Sequence, residues 1–298
     1  MNKTTENNFQ ILTEVLKGIG QIMLQENIYT GILFTAGIFL GSLSMGIAVL
    51  IATLAGTLTA KAFRYDKDEI AMGLYGFSPA LVGVALAFLF RSDVIIWVAI
   101  VIGGSLAAII QHFFIKRKIP VFTFPFILVS WVLVFSLHSF TSIPPSEALS
   151  AIPQATRADS FFAETNSFGE VIFQGNVWTG IIFFIAVYLS SPLAALYGFV
   201  GAAIGSTYSL AVHEPGSEVH MGLFGFNAVL CAIAFAGNKK TDGIWVFVSV
   251  LLCAFINTTL VNADISILKT AGGVFTFPFV SATWVTLLIK NLVDKKTN

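Results

Sequence analysis

The chain has 298 residues, of which 56% are apolar and 11% charged, and its mean hydropathy is +0.85. A soluble globule carries roughly 25% charged residues, so this composition excludes one. The balance of 16 basic against 16 acidic residues leaves no basic excess to hold nucleic acid. The chain therefore reads as an all-α polytopic membrane protein, with 29 phenylalanines available to face lipid or line a solute route.

In chain order, residues 1–8 form a polar tail without the basic-then-apolar pattern of a cleaved leader, so insertion is expected through the chain's own spans. Residues 9–25 are too polar to cross a bilayer and too apolar for a plain loop; they read as a half-length, re-entrant pore helix. Uncharged apolar runs follow at 28–43, 44–62, 73–90, 94–115 and 119–138, closing a first half over 9–138. A polar linker over 139–157 leads to a second half over 158–291 and a tail over 292–298. That half opens with another mixed segment at 166–174, read as a second pore helix, and continues with runs at 177–191, 192–211, 222–237, 243–261 and 272–289. Several runs fall short of the ~20 residues that cross a bilayer unaided. The long stretches 28–62 and 177–211 must each turn back, near Gly41-Ser42 and Ser190-Ser191-Pro192.

Ten crossings place 13 of the 16 basic residues on one side, with only Arg91, Arg157 and Lys269 on the other. Cytoplasmic loops carry the Lys and Arg excess. Both termini are thus expected in the cytoplasm and the 139–157 linker outside.

The chain repeats itself. QENIYTG at 25–31 matches QGNVWTG at 174–180, and MGLYGF at 72–77 matches MGLFGF at 221–226, both offset by 149 residues. VFTFPF recurs at 121–126 and 274–279 with an offset of 153, which implies a four-residue insertion between Asp242 and Val274. Each half holds five crossings, so the second must insert upside down relative to the first. Inverted repeats build transporters and channels whose solute site lies near mid-membrane.

Apart from residues at their ends, such as Lys61 and His112, the ten runs hold no ionisable side chain of the acidic, basic or histidine kind. Ion pumps and proton relays place such groups within the bilayer, so a neutral solute is the natural cargo. Gln21 and Glu170 align at the common offset and would supply acceptor oxygens in the two pore helices. The alternatives are a polar residue on an amphipathic surface helix and an external loop carboxylate. Pro125 and Pro278 lack an N–H and are expected to kink their helices, releasing the carbonyls of Val121 and Val274. Thr123 and Thr276 add hydroxyls beside them, unless each merely bonds its own backbone. Phe77 with Leu81, and Phe226 with Leu230, stand one helical turn apart and would wall a flat passage or simply pack. Cys231 and Cys253 lie in apolar runs as inert thiols, and HEPGSEVH at 213–220 lacks a metal-binding framework. No cofactor or metal is expected. The runs contain no cluster of His, Asp or Cys that would make an enzyme.

The tandem VFTFPF motifs, the paired GL-(Tyr/Phe)-GF segments and the 5+5 arrangement resemble the urea transporter family in its compact bacterial form. The resemblance covers nearly the whole chain. It implies a channel-like facilitator of passive urea flow in the bacterial cytoplasmic membrane, assembled as a homotrimer with one route per subunit. It also implies that Gln21 and Glu170 face urea nitrogens, that Thr123 and Thr276 form the central constriction, and that Phe77, Leu81, Phe226, Leu230 and Phe173 form aromatic slots. Leu24 stands where symmetry with Phe173 would place an aromatic ring, so one slot is walled by leucine. An ion-coupled carrier of a small amide or amine, using Glu170 as its ion-linked group, is the competing expectation.

Overall fold

The computed structural model describes residues 3–150 and 155–297. Part of the expected linker, residues 151–154, and the chain ends lie outside the described residues. The chain divides into two compact units, Met1–Ile152 with Ser266–Gly273, and Pro153–Ile265 with Val274–Asn298. Among the described residues the elements are helical; one isolated bridge pairs Phe90 with Pro145.

The first unit begins with α1 (Lys3–Gly20) and a single 3-10 turn over Gln21–Met23. It continues through α2 (Ile28–Gly41), α3 (Leu43–Ala62), α4 (Lys67–Ala71), α5 (Phe77–Leu89), α6 (Val94–Lys116), α7 (Phe124–Phe140) and α8 (Glu147–Ser150). The second contains α9 (Arg157–Phe161), α10 (Ala163–Glu170), α11 (Val177–Ser190), α12 (Pro192–Ala211), α13 (Gly216–His220), α14 (Phe226–Phe235), α15 (Lys240–Asn262) and α17 (Phe277–Thr297). Between the last two, α16 (Ser266–Thr270) belongs to the first unit. The Trp131 indole N–H donates to the Gly273 carbonyl at 2.8 Å, and His138 Nδ1 to the Thr270 carbonyl at 2.7 Å. The insertion inferred from the change of offset falls in the stretch that contains α16.

Each of the ten apolar runs contains one helix. Four of them, α3, α6, α12 and α15, are long and apolar enough to cross a membrane; α2, α5, α7, α11 and α14 are apolar but shorter. The tight reversals fall where the sequence places them. Ser42 ends α2 and its hydroxyl caps α3 at Met45 N, while Ser191 does the same for α12 at Ala194 N. Such caps are worth about 1 kcal/mol each. Inside the first unit α3 packs on α5 and α6 through small side chains, with Ala48 and Ala52 fully buried. Small residues bring helices close where no water-driven collapse operates. Large apolar groups point outward instead: Val98 on α6 is 52% exposed and Phe255 on α15 55%. Apolar surface on this scale suits lipid.

Three expectations need correction. The first pore segment is not half-length: α1 has 18 residues, about 27 Å at 1.5 Å per residue. The prolines do not kink helices. Pro125 lies in the first turn of α7 and Pro278 in that of α17, where an N–H has no partner within the helix anyway. Nor are the Val121 and Val274 carbonyls released, since they accept the Phe124 and Phe277 N–H groups at 3.2 and 3.0 Å. Finally, the glycine-rich motifs form turns, and α5 and α14 begin only at Phe77 and Phe226.

Those turns demand glycine. Gly73 has φ +78° and a Cβ there would lie 2.4 Å from Gly18 N; Gly222 has φ +91° and its Cβ would lie 2.5 Å from Ser167 N. Gly222→Ala is expected to cost more than the ~1–2 kcal/mol of the left-handed conformation alone. Thermal unfolding in detergent, followed by tryptophan fluorescence, checks this; a melting temperature equal to that of the unaltered protein contradicts it.

Candidate permeation site

The two pore segments end in the same local structure. In α1, Gln25 N–H reaches back to the Gly20 carbonyl at 3.2 Å and Leu24 N–H to the Gln21 carbonyl at 3.0 Å. In α10, Gln174 N–H reaches the Gly169 carbonyl and Phe173 N–H the Glu170 carbonyl, both at 3.1 Å. This is the paired-bond helix terminus whose left-handed position ordinarily takes glycine. Here it holds Leu24 at φ 59° and Phe173 at φ 57°, at a cost of roughly 1–2 kcal/mol each. Strain of this kind gathers at functional positions.

Gln21 and Glu170 therefore occupy matched places in the closing turn. Gln21 Nε2 donates to the Met72 carbonyl at 3.1 Å, which commits the amide nitrogen and leaves Oε1 as an acceptor. That bond ties the end of the first helical segment to the head of the MGLYGF turn. Glu170 is partly buried, and its Oε1 lies 3.0 Å from where a Cβ on Gly175 would stand. The repeated Gln and Asn of the first motif have a mechanical role that sequence reasoning did not assign. Gln25 and Gln174, both buried, bond the carbonyls of Met23 and Ile172 at 2.8 and 3.1 Å. Asn27 and Asn176 cap α2 and α11 through Tyr29 N and Trp178 N.

The threonine segments are duplicated down to the backbone. Phe122 and Phe275 have φ 46° and 48°, and each precedes a threonine that is 2% exposed. The Thr123 carbonyl accepts from Ile127 N–H and the Thr276 carbonyl from Val280 N–H, each at 3.1 Å. Thr123 is the N-cap residue of α7, yet its side chain makes no capping bond. In the second unit the Phe173 and Phe275 rings meet edge to face at 6.1 Å, which joins the end of α10 to the threonine segment. Phe77 and Leu81 are buried on α5, as is Leu230 on α14, whereas Phe226, Val121 and Val274 are partly exposed.

Other polar groups inside the units escaped the sequence reading. Asn227 on α14 and Asn257 on α15 are almost wholly buried, as are Ser78 on α5 and Gln111 on α6. Their only signal was a polar residue in an apolar run, with Ser78 and Asn227 at the common offset. Glu14 on α1, 2% exposed, meets Lys61 of α3 at 2.8 Å, so the lysine at a span end is neutralised locally. A surface hollow of about 670 Å³ in the first unit, lined by residues such as Arg91, Asp93 and Pro144, contains none of the candidate residues.

The model of the urea transporter family matches residues 12–291. The chain belongs to the urea transporter family. Among curated proteins it is 29% identical to urea transporter 1 of Rattus norvegicus over 243 residues, covering 76% of this chain and 63% of that protein. It is 28% identical to urea transporter 1 of Ovis aries over 301 residues, covering 94% and 77%. The chain thus spans somewhat less than two thirds of the length of the rat relative. This urea transporter family member is a multi-pass membrane protein, and the family is one of transporters rather than enzymes.

Proposed function

We propose that the protein is a passive, channel-like facilitator of urea permeation across a bacterial cytoplasmic membrane. The observation that carries this reading is the duplicated break before each Thr-Phe-Pro: a buried threonine, held between a left-handed phenylalanine and a helix start, in both units. Irregular backbone at membrane depth is tolerated where it is covered by protein or lines a watered cavity. Urea is flat and uncharged, with N–H donors at its edge. An amide left without partners in an apolar passage costs roughly 2–7 kcal/mol, so rapid flow needs oxygens along the route. Each unit supplies the same set: Gln21 or Glu170, Thr123 or Thr276, and a Phe-Leu pair on α5 or α14. Val121 and Val274 flank the threonines, and Leu24 and Phe173 stand beside the pore-helix acceptors.

Ten crossings in two inverted halves, with both termini cytoplasmic, agree with the basic-residue bias and with one helix in each apolar run. A homotrimer follows from the family resemblance, with urea as the permeant and lipid around it. No resident ion or cofactor is needed, because the route offers acceptors rather than charge.

Stopped-flow uptake into proteoliposomes tests the proposal. Urea flux is expected to exceed that of protein-free liposomes and to be unchanged when proton and sodium gradients are collapsed. Flux that vanishes with either gradient would establish a coupled carrier instead.

A further inference from the structure

We infer that Asn227 is a positioning residue for Thr276, capping α17 from a neighbouring helix; the inference rests on the reading of Thr276 as part of the urea route. An N-cap oxygen ordinarily accepts the N–H of the second or third helical residue. In α17 the second is Pro278, which has no N–H, so Phe279 is the donor that remains. Its N–H goes to Asn227 Oδ1 at 3.3 Å. The same carboxamide donates through Nδ2 to the Phe275 carbonyl at 3.2 Å. In an unbroken helix the Phe279 N–H and the Phe275 carbonyl would bond each other. The Asn227 amide stands between them and takes both, bracketing Thr276.

The surroundings fix that amide. Asn257 Oδ1 also receives Nδ2, at 3.4 Å. One turn along α14, the Cys231 thiol lies 3.7 Å from Thr283 Oγ1 and 3.8 Å from the Phe279 carbonyl, holding α14 against α17. Asn227 is 1% exposed and Asn257 2%, so water does not compete for these bonds. The first unit spends its polar groups differently. Ser78 Oγ donates to Gln111 Oε1 at 3.1 Å, and the buried Gln111 Nε2 has no partner. At the matched position of the first unit, Ser78 bonds the Gln111 side chain where Asn227 bonds the Phe275 carbonyl and the Phe279 N–H. The clamp gives the Phe279 N–H an acceptor other than the hydroxyl at position 276.

The test uses full-length protein carrying Asn227→Leu, Asn227→Ser, or Asn227→Ser with Asn257→Gln, the last setting a longer amide on α15 opposite the shortened side chain. Deuterium exchange of residues 275–281, urea flux and the urea-to-thiourea flux ratio are read for each. Asn227→Leu is expected to speed exchange in that segment alone, to lower urea flux about tenfold or more, and to change the ratio. The double variant is expected to stay as impaired as Asn227→Ser, because the acceptor for the Phe279 N–H is the carboxamide of residue 227 itself. Unaltered exchange over 275–281, flux lost with no change in ratio, or full recovery in the double variant overturns the inference. Absence of urea flux in the unaltered protein would instead overturn the proposed function, and the exchange measurement would still decide the clamp.

Discussion

Thr276→Val combined with Thr123→Val is expected to slow urea flux while leaving the helices and the assembled protein in place. Valine matches threonine in shape but replaces the hydroxyl with a methyl, so the change removes oxygen without opening a cavity. A donor left unmatched in a buried passage costs about 1–3 kcal/mol. Each 1.4 kcal/mol is tenfold in rate, so the expected loss lies between about fivefold and about a hundredfold. The fold is expected to survive because valine keeps the shape of the buried side chain and, in the second unit, Asn227 receives the Phe279 N–H. Stopped-flow flux in proteoliposomes, normalised to protein and paired with a melting curve, checks both halves of the expectation. Unchanged flux in the double variant would remove the threonines from the route.

Glu170→Leu is expected to reduce flux more than either threonine change, and Glu170→Gln far less. The position closes α10 beside the strained Phe173 and has no first-unit carboxylate to share its work, since Gln21 stands there. Gln21 holds an amide at the matched place, with Nε2 bonded to the Met72 carbonyl and Oε1 left as an acceptor. A glutamine at 170 keeps such an oxygen, whereas leucine keeps none. Flux within about threefold of the unaltered protein is expected for Glu170→Gln, against a loss of tenfold or more for Glu170→Leu. Equal losses would argue that the carboxylate charge, rather than acceptor geometry, is required. That outcome would favour a coupled carrier.

Much of the helix order was legible because uncharged apolar runs and capping residues agree in this chain. Asn27, Ser42, Asp93, Asn176 and Ser191 all cap helices near positions where the apolar runs begin. The misreadings have one physical source. Hydropathy reports what a residue prefers to touch, and it is silent about backbone direction. Gly73 to Gly76 and the VFTFPF segments are apolar enough to pass for helix, yet positive φ angles at Gly73, Phe122 and Phe275 turn the chain there. A proline inside an apolar run reads as a kink, whereas in both units it marks the first turn. The candidate residues were found through duplication, which averages over local noise. Asn227, Asn257 and Gln111 were missed because the two units solve the same local problem with different side chains.

The terminus shared by α1 and α10 bears on how the polypeptide is made. The bonds from Gln25 and Gln174 to their helix ends join residues no more than five positions apart. Contacts this short in sequence close quickly, because little chain entropy is lost in making them. Each of these helix ends is thus able to close before the distant threonine segment of its own unit exists. These two helix ends are laid down locally and early, and the remainder of each unit is built around them.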